Sequence, residues 1–112
     1  MKQARLNEMI KGWFVGDFEP RIAHSTDCEV AVKHYAAGDY EEEHHHRVAT
    51  EVTVVVSGRV TMMGKVLDAG DIMLLEPGEA TDFRALTDAV CAVVKLPSAR
   101  GDKYPGHLPS AQ

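Results

Sequence analysis

A chain of 112 residues, 45% hydrophobic and 26% charged, is long enough for one packed core, too short for two, and excluded by composition from general disorder. Lys and Arg number 12 against 17 Asp and Glu, and the resulting net charge of −5 repels phosphate backbones, so nucleic acid is not an expected partner. The start, Met1-Lys2-Gln3-Ala4-Arg5-Leu6-Asn7-Glu8, lacks the apolar run of a secretory leader and no later segment reads as a membrane span, so a cytoplasmic protein without membrane contact is expected.

In residues 3–11, Leu6, Met9 and Ile10 lie at helical spacing, which permits one short amphipathic helix; an extended arm fits nearly as well. Trp13, Phe14, Val15 and Phe18 follow as a dense apolar cluster that must cover the chain's own core or a neighbour's, and a homodimer is expected from it. Residues 1–27 therefore read as an arm packed on the main body or on a dimer partner. Residues 28–97 form the main body, a series of short strand-like runs broken by glycine: roughly 29–35, 42–46, 51–56, 59–63, 72–75, 81–86 and 89–96. That is the pattern of an all-β sandwich or barrel. Ser57-Gly58 reads as a two-residue hairpin turn, predicting antiparallel pairing of 51–56 with 59–63. Met63-Gly64-Lys65, Ala69-Gly70-Asp71 and Glu76-Pro77-Gly78 read as further turns, so a compact meander or jelly roll fits. Cys28 and Cys91 lack partners at metal or redox spacing and read as buried free thiols. Residues 98–112, broken by glycine and proline, are expected to be a poorly ordered, uninvolved tail.

His44, His45 and His46 form the most informative cluster. Side chains alternate along a strand, so His44 and His46 share one face while His45 points to the other. Two imidazoles so placed can converge on one ion at the ~2.0–2.1 Å typical of zinc. Glu51, beyond a break at 47–50, opens the next run and can add a carboxylate oxygen, giving a two-histidine, one-carboxylate set with positions open for water or substrate. Taken alone, three histidines after Glu41-Glu42-Glu43 read more simply as a solvated polar edge. His24, His34 and His107 have no spaced partners and read as surface or locally satisfied histidines. Lys33 and Tyr35 share a strand face and are candidate acid, base or substrate-binding groups if that face is interior. Arg84, on the face of Asp82, reads as a surface salt-bridge partner, and Met62, Met63 and Met73 as core.

The frame around the triplet changes the balance. Gly38, five residues, His44, one residue, His46, four residues, Glu51, six residues and Gly58 resembles the first motif of the cupin superfamily position for position. Gly70-Asp71 followed by Glu76-Pro77-Gly78 resembles the second, and only eleven residues separate Gly58 from Gly70. The resemblance covers roughly residues 28–97. It implies a small single-domain cupin-type β-barrel, a double-stranded β-helix or jelly roll of the RmlC-like kind. It also implies a divalent metal on His44, His46 and Glu51, with iron, manganese, zinc and nickel indistinguishable from these ligands. The family's usual fourth ligand, a histidine, falls at Thr81, and a later asparagine falls at Ala85. Thr81 is a poor ligand that can hydrogen-bond a bound water; Asp82 is a better one that alternation points away unless a bulge brings it in. Because the superfamily spans oxygenases, isomerases, epimerases, decarboxylases, storage proteins and sensors, two functions follow from the resemblance. One is a metal-dependent oxygenase, isomerase or lyase acting on a small oxygen-rich molecule such as an organic acid or sugar derivative. The other is a non-catalytic small-ligand-binding or sensing module.

Overall fold

Alternation of inward and outward side chains organises the structure, a computed structural model that describes residues 1–109. In chain order its strands are β1 (Trp13–Gly16), β2 (Ala23–His24), β3 (Glu29–Tyr35), β4 (Tyr40–His45), β5 (Thr50–Ser57), β6 (Arg59–Met62), β7 (Lys65–Asp68), β8 (Ile72–Leu75), β9 (Ala80–Ala85), β10 (Ala89–Leu96) and β11 (Tyr104–Pro105). They form a six-stranded sheet, β2-β1-β3-β10-β5-β8, and a five-stranded sheet, β11-β4-β9-β6-β7. Every second residue of the central strands is buried between them: Ala89, Cys91 and Val93 on β10, Thr81, Phe83 and Ala85 on β9, Val60 and Met62 on β6. Among the described residues no helix is long and apolar enough to cross a membrane.

The pairing of 51–56 with 59–63 is not found. β5 pairs with β10 and β8 in one sheet, and β6 pairs with β7 and β9 in the other, so Ser57-Gly58 carries the chain across from sheet to sheet. A glycine at positive φ serves a corner as well as a hairpin, and its sequence signature is the same for both. Gly58 has φ 84, and a Cβ there would stand 2.2 Å from the Asp88 carbonyl oxygen. Met63-Gly64 is the tight hairpin, joining β6 to β7.

At the N-terminus two short 3-10 turns, Leu6–Glu8 and Ile10–Gly12, stand where an amphipathic helix was an option, because Lys11 at φ 52 breaks the helical path. The Trp13 to Phe18 cluster folds onto its own barrel. β1 pairs with β3, and Trp13 packs on the core with the Lys33 and Lys95 ammonium groups 5.1 and 4.9 Å from its ring centre.

The tail also departs from expectation. Residues 98–109 are ordered against the barrel, β11 pairs with β4, and Asp102 is buried; residues 110–112 lie outside the described part. Polar contacts rather than apolar bulk hold it there, as the site shows below.

The outer face of the six-stranded sheet is apolar. Two rows cross it in register, Val30-Val94-Val52-Leu74 and Val32-Ala92-Val54-Ile72, ending on the edge strand β8, where Ile72 is 67% and Leu74 52% exposed.

The two glycine corners differ in a way denaturation can read. Gly58→Ala combines positive φ with a backbone collision and should lower unfolding stability by about 2–4 kcal/mol. Gly64, at φ 75 with nothing within 4 Å of its missing Cβ, should cost about 1 kcal/mol when changed to Ala. Urea titration of both variants checks the order.

Candidate metal site

A bulge in β4 sets the site. Glu41 stands opposite Phe83 and His44 opposite Thr81, so three residues of β4 span two of β9. The extra residue lets Glu41 and His44 both turn inward although their parity differs. With Lys33, Tyr35, Glu51 and Thr81 they line a cavity of about 30 Å3 between the sheets. Lys33 and Tyr35 therefore lie on the interior face, and Thr81 is buried beside His44. Asp82 points the other way: its Oδ1 accepts the Met63 N–H at 2.7 Å, capping the β6–β7 turn.

His46 follows β4 directly, and its Nε2 is 3.6 Å from Glu51 Oε2. That is too long for a hydrogen bond, and it is an ion pair only when the imidazole is protonated. Nδ1 of His46 bonds to the Asp102 carbonyl oxygen, so in the neutral ring the lone pair sits on Nε2, facing Glu51. This Nε2 is buried without any hydrogen-bond partner. His44 repeats the arrangement at the rim, with Nδ1 on the Glu42 carbonyl oxygen at 2.9 Å, and its ring centre is 5.5 Å from that of His46. His45 faces away and is covered by the tail: it bonds the Gly106 carbonyl oxygen at 2.6 Å and stacks on Tyr104.

Burial alone would raise the Glu51 carboxyl, but the protonated form of the His46 ring beside it, with Lys95 and His44 further off, outweighs this and holds it below the usual carboxylate range. Burial pulls the Lys33 ammonium below its ordinary value, partly countered by Glu41, whose Oε1 is 4.0 Å from Nζ, and by Glu51. It also pushes the Tyr35 phenol well up, so Tyr35 stays protonated, and it lowers the His44 imidazole. Cys91 is a buried free thiol in the core, pushed up to about 11 by burial; Cys28 is free and half-buried.

Among the described residues, no group of three His, Cys, Asp or Glu side chains is already gathered to hold an ion. The donor chemistry nevertheless fits a divalent metal. An imidazole nitrogen buried with no partner beside an ionised carboxylate is a costly arrangement that a cation satisfies, and both histidines have their second nitrogen tied to backbone oxygen, as metal-ligating histidines do. His44, half-buried at the rim, is the third candidate donor.

The remaining sequence candidates lie elsewhere. His24 pairs with Asp17 at 3.0 Å and His107 with Glu43 at 3.4 Å on the surface, His34 is exposed, and the Arg84 guanidinium lies 4.6 Å above the Tyr40 ring rather than on Asp82. Met62 lines the cavity, Met73 packs on the core, and Met63 is exposed at the turn. Sequence reasoning missed Glu41, hidden by the bulge, and Asp102. Both Asp102 carboxylate oxygens accept from the consecutive N–H groups of Arg47, Val48 and Ala49 at 2.8–3.2 Å, fixing the loop between His46 and Glu51.

No family model and no curated protein matches the sequence. Solved structures do match. The chain is similar to an uncharacterized conserved protein with a double-stranded beta-helix domain from Klebsiella pneumoniae, at 23% identity and TM-score 0.67 over 75% of this chain and 74% of that one. It is similar to KdgF from Halomonas sp., at 22% identity and TM-score 0.62 over 70% and 77% of the two chains. An RmlC-like cupin from Shewanella frigidimarina shares 27% identity and TM-score 0.60 over 69% and 71%.

Removing the Asp102 carboxylate leaves three backbone donors unpaired, so Asp102→Ala should destabilise by roughly 2–4 kcal/mol. Burial works against its charge, but the N–H groups of Ala49, Arg47 and Val48 prevail and depress its pKa. A depressed carboxyl contributes fully above its unfolded value, near pH 4, and loses that contribution as pH falls through the folded value. Chemical denaturation from pH 7 to 3 should show the wild-type advantage over Asp102→Ala shrinking across that acid window.

Proposed function

This chain has the cupin fold, as a small single-domain jelly roll of the RmlC-like kind, and from that premise we propose that it holds a divalent metal through His44, His46 and Glu51 and works there on a small oxygen-rich molecule. An organic acid or a sugar derivative is the ligand class. The observation that carries this reading is the buried, unpartnered Nε2 of His46 beside the ionised Glu51. A bound divalent ion would supply Lewis acidity toward a carboxylate, carbonyl or hydroxyl oxygen.

The chain's own residues support that role. Asp102 fixes the His46 ring with its donor nitrogen facing Glu51. Lys33 places an ammonium, and Tyr35 a protonated phenol, on the wall of the same cavity, where each can orient or protonate an oxygen of the ligand. The Thr81 hydroxyl donates to the Asp82 carbonyl oxygen at 2.7 Å and keeps lone pairs to accept from a water. Thr81 in place of a fourth strong ligand leaves room at the site for water or ligand, the arrangement of an oxygenase, isomerase or lyase. That same missing ligand favours a second reading, a non-catalytic module that captures a small molecule for sensing.

Metal titration of untagged protein should give about one divalent ion per chain. The His44→Ala, His46→Ala double variant should lose it while far-UV circular dichroism shows the strands retained, because the core cluster contains neither histidine although His46 is itself buried; unaltered metal content would refute the site. Thr81→His should tighten metal binding while obstructing ligand access, whereas Asp82→Ala should leave metal affinity as it was.

The apolar outer face of the six-stranded sheet supports a homodimer built face to face through it, in place of the Trp13 cluster that the barrel itself covers. Sedimentation at micromolar concentration should give a dimer, and Ile72→Lys with Leu74→Lys a monomer of about the 12.3 kDa chain mass. A monomeric wild type would contradict this.

A further inference from the structure

Next to the metal site lies a second, much larger hollow. Residues 5–12 of the N-terminal arm stand off from residues 32–35 of β3 and, with Asp39 and Glu41, enclose a cleft of about 670 Å3. Small-molecule sites have this size. The inner cavity, at about 30 Å3, has room for an ion or about one water. Lys33, Tyr35 and Glu41 line both hollows, so the cleft and the inner cavity adjoin at these side chains. A ligand with more than a few atoms must sit in the cleft and reach inward past these residues.

The backbone holds this cleft in place. β1 pairs with β3 only at Val30 and Ala31, which leaves the rest of the β3 edge to the arm. Gly12, at φ 81, lies so close that a Cβ would stand 1.9 Å from the Val32 carbonyl oxygen. Lys11 precedes it at φ 52, a left-handed conformation that a non-glycine residue adopts only where its surroundings hold it. Together they pin the arm to β3 and set Lys11 on the rim of the cleft.

Five charged side chains line the hollow, and three are already engaged. Asp39 accepts the Ala36 N–H at 2.8 Å, and Glu41 faces Lys33 at 4.0 Å. Arg5 and Lys11 form no ion pair among the described residues. Two uncommitted cations facing a ligand-sized hollow, on a chain of net charge −5, select for an anion. Leu6 and Met9 add an apolar wall.

We propose that this cleft is the binding chamber for a small organic acid, with a carboxylate held by Arg5 and Lys11 and the rest of the molecule directed past the Lys33–Glu41 pair toward the metal site. The inward direction rests on the metal-site reading; within it, the ligand narrows from oxygen-rich molecules in general to carboxylates. An uncharged sugar would leave Arg5 and Lys11 without a role.

The test titrates oxalate, malonate and succinate into 15N-labelled protein and follows amide resonances, with metal content measured in parallel. At least one of the three should bind saturably and shift residues 5–12 and 32–35. Arg5→Gln with Lys11→Gln, both exposed positions, should weaken that binding about tenfold while metal content stays unchanged. Saturable binding by none of the three, equal binding in the double variant, or shifts confined to other residues would overturn the proposal. A wild type that takes up no metal yet binds a carboxylate in the cleft would overturn the metal reading and uphold this one.

Discussion

The buried Asp102 carboxylate gathers the N–H groups of Arg47, Val48 and Ala49, and its main-chain oxygen accepts from Nδ1 of His46. One residue, more than fifty positions along the chain from its partners, thus shapes the loop that spaces His46 from Glu51 and chooses which nitrogen of His46 faces inward. Charge-assisted hydrogen bonds of this kind contribute about 1.5–3 kcal/mol each, so the loop is held by its polar contacts rather than by burying apolar surface. Without that anchor, a four-residue turn exposing Arg47 and Val48 would have little to fix it.

Of the three candidate ligands, His46 is buried and faces the mostly covered Glu51, while His44 is half-buried on the rim and is bonded to the Glu42 carbonyl oxygen. The β4 bulge contributes the neighbouring acid, because it turns Glu41 toward Lys33 and so places an ion pair where the inner cavity meets the outer cleft.

Much of the barrel was legible in the sequence because its signals are local. β3, β8 and β10 lie at the boundaries that alternation predicts, and the one-residue gap between His44 and His46 is enough to put both on one side. The misread features are those that local pattern cannot encode. Ser57-Gly58 has hairpin chemistry, yet whether a positive-φ glycine turns a strand back or across to the facing sheet depends on the partners β10 and β9, which lie far along the chain. Glu41 shares parity with the outward residues until a bulge reverses it. Residues 98–109 look like a spent tail because they carry little apolar content; what holds them is one carboxylate on the N–H groups of residues 47–49 and a pair of carbonyl oxygens on His45 and His46. No spacing rule connects position 102 to position 46.

Anomalous diffraction from crystals grown with manganese or zinc tests the central claim most directly. The expected result is one strong peak per chain, bonded to His46 Nε2, a Glu51 carboxylate oxygen and a ring nitrogen of a rotated His44, with Nδ1 of His46 still on the Asp102 carbonyl oxygen. A fully occupied ion elsewhere, with His46 Nε2 left unligated beside Glu51, would contradict it.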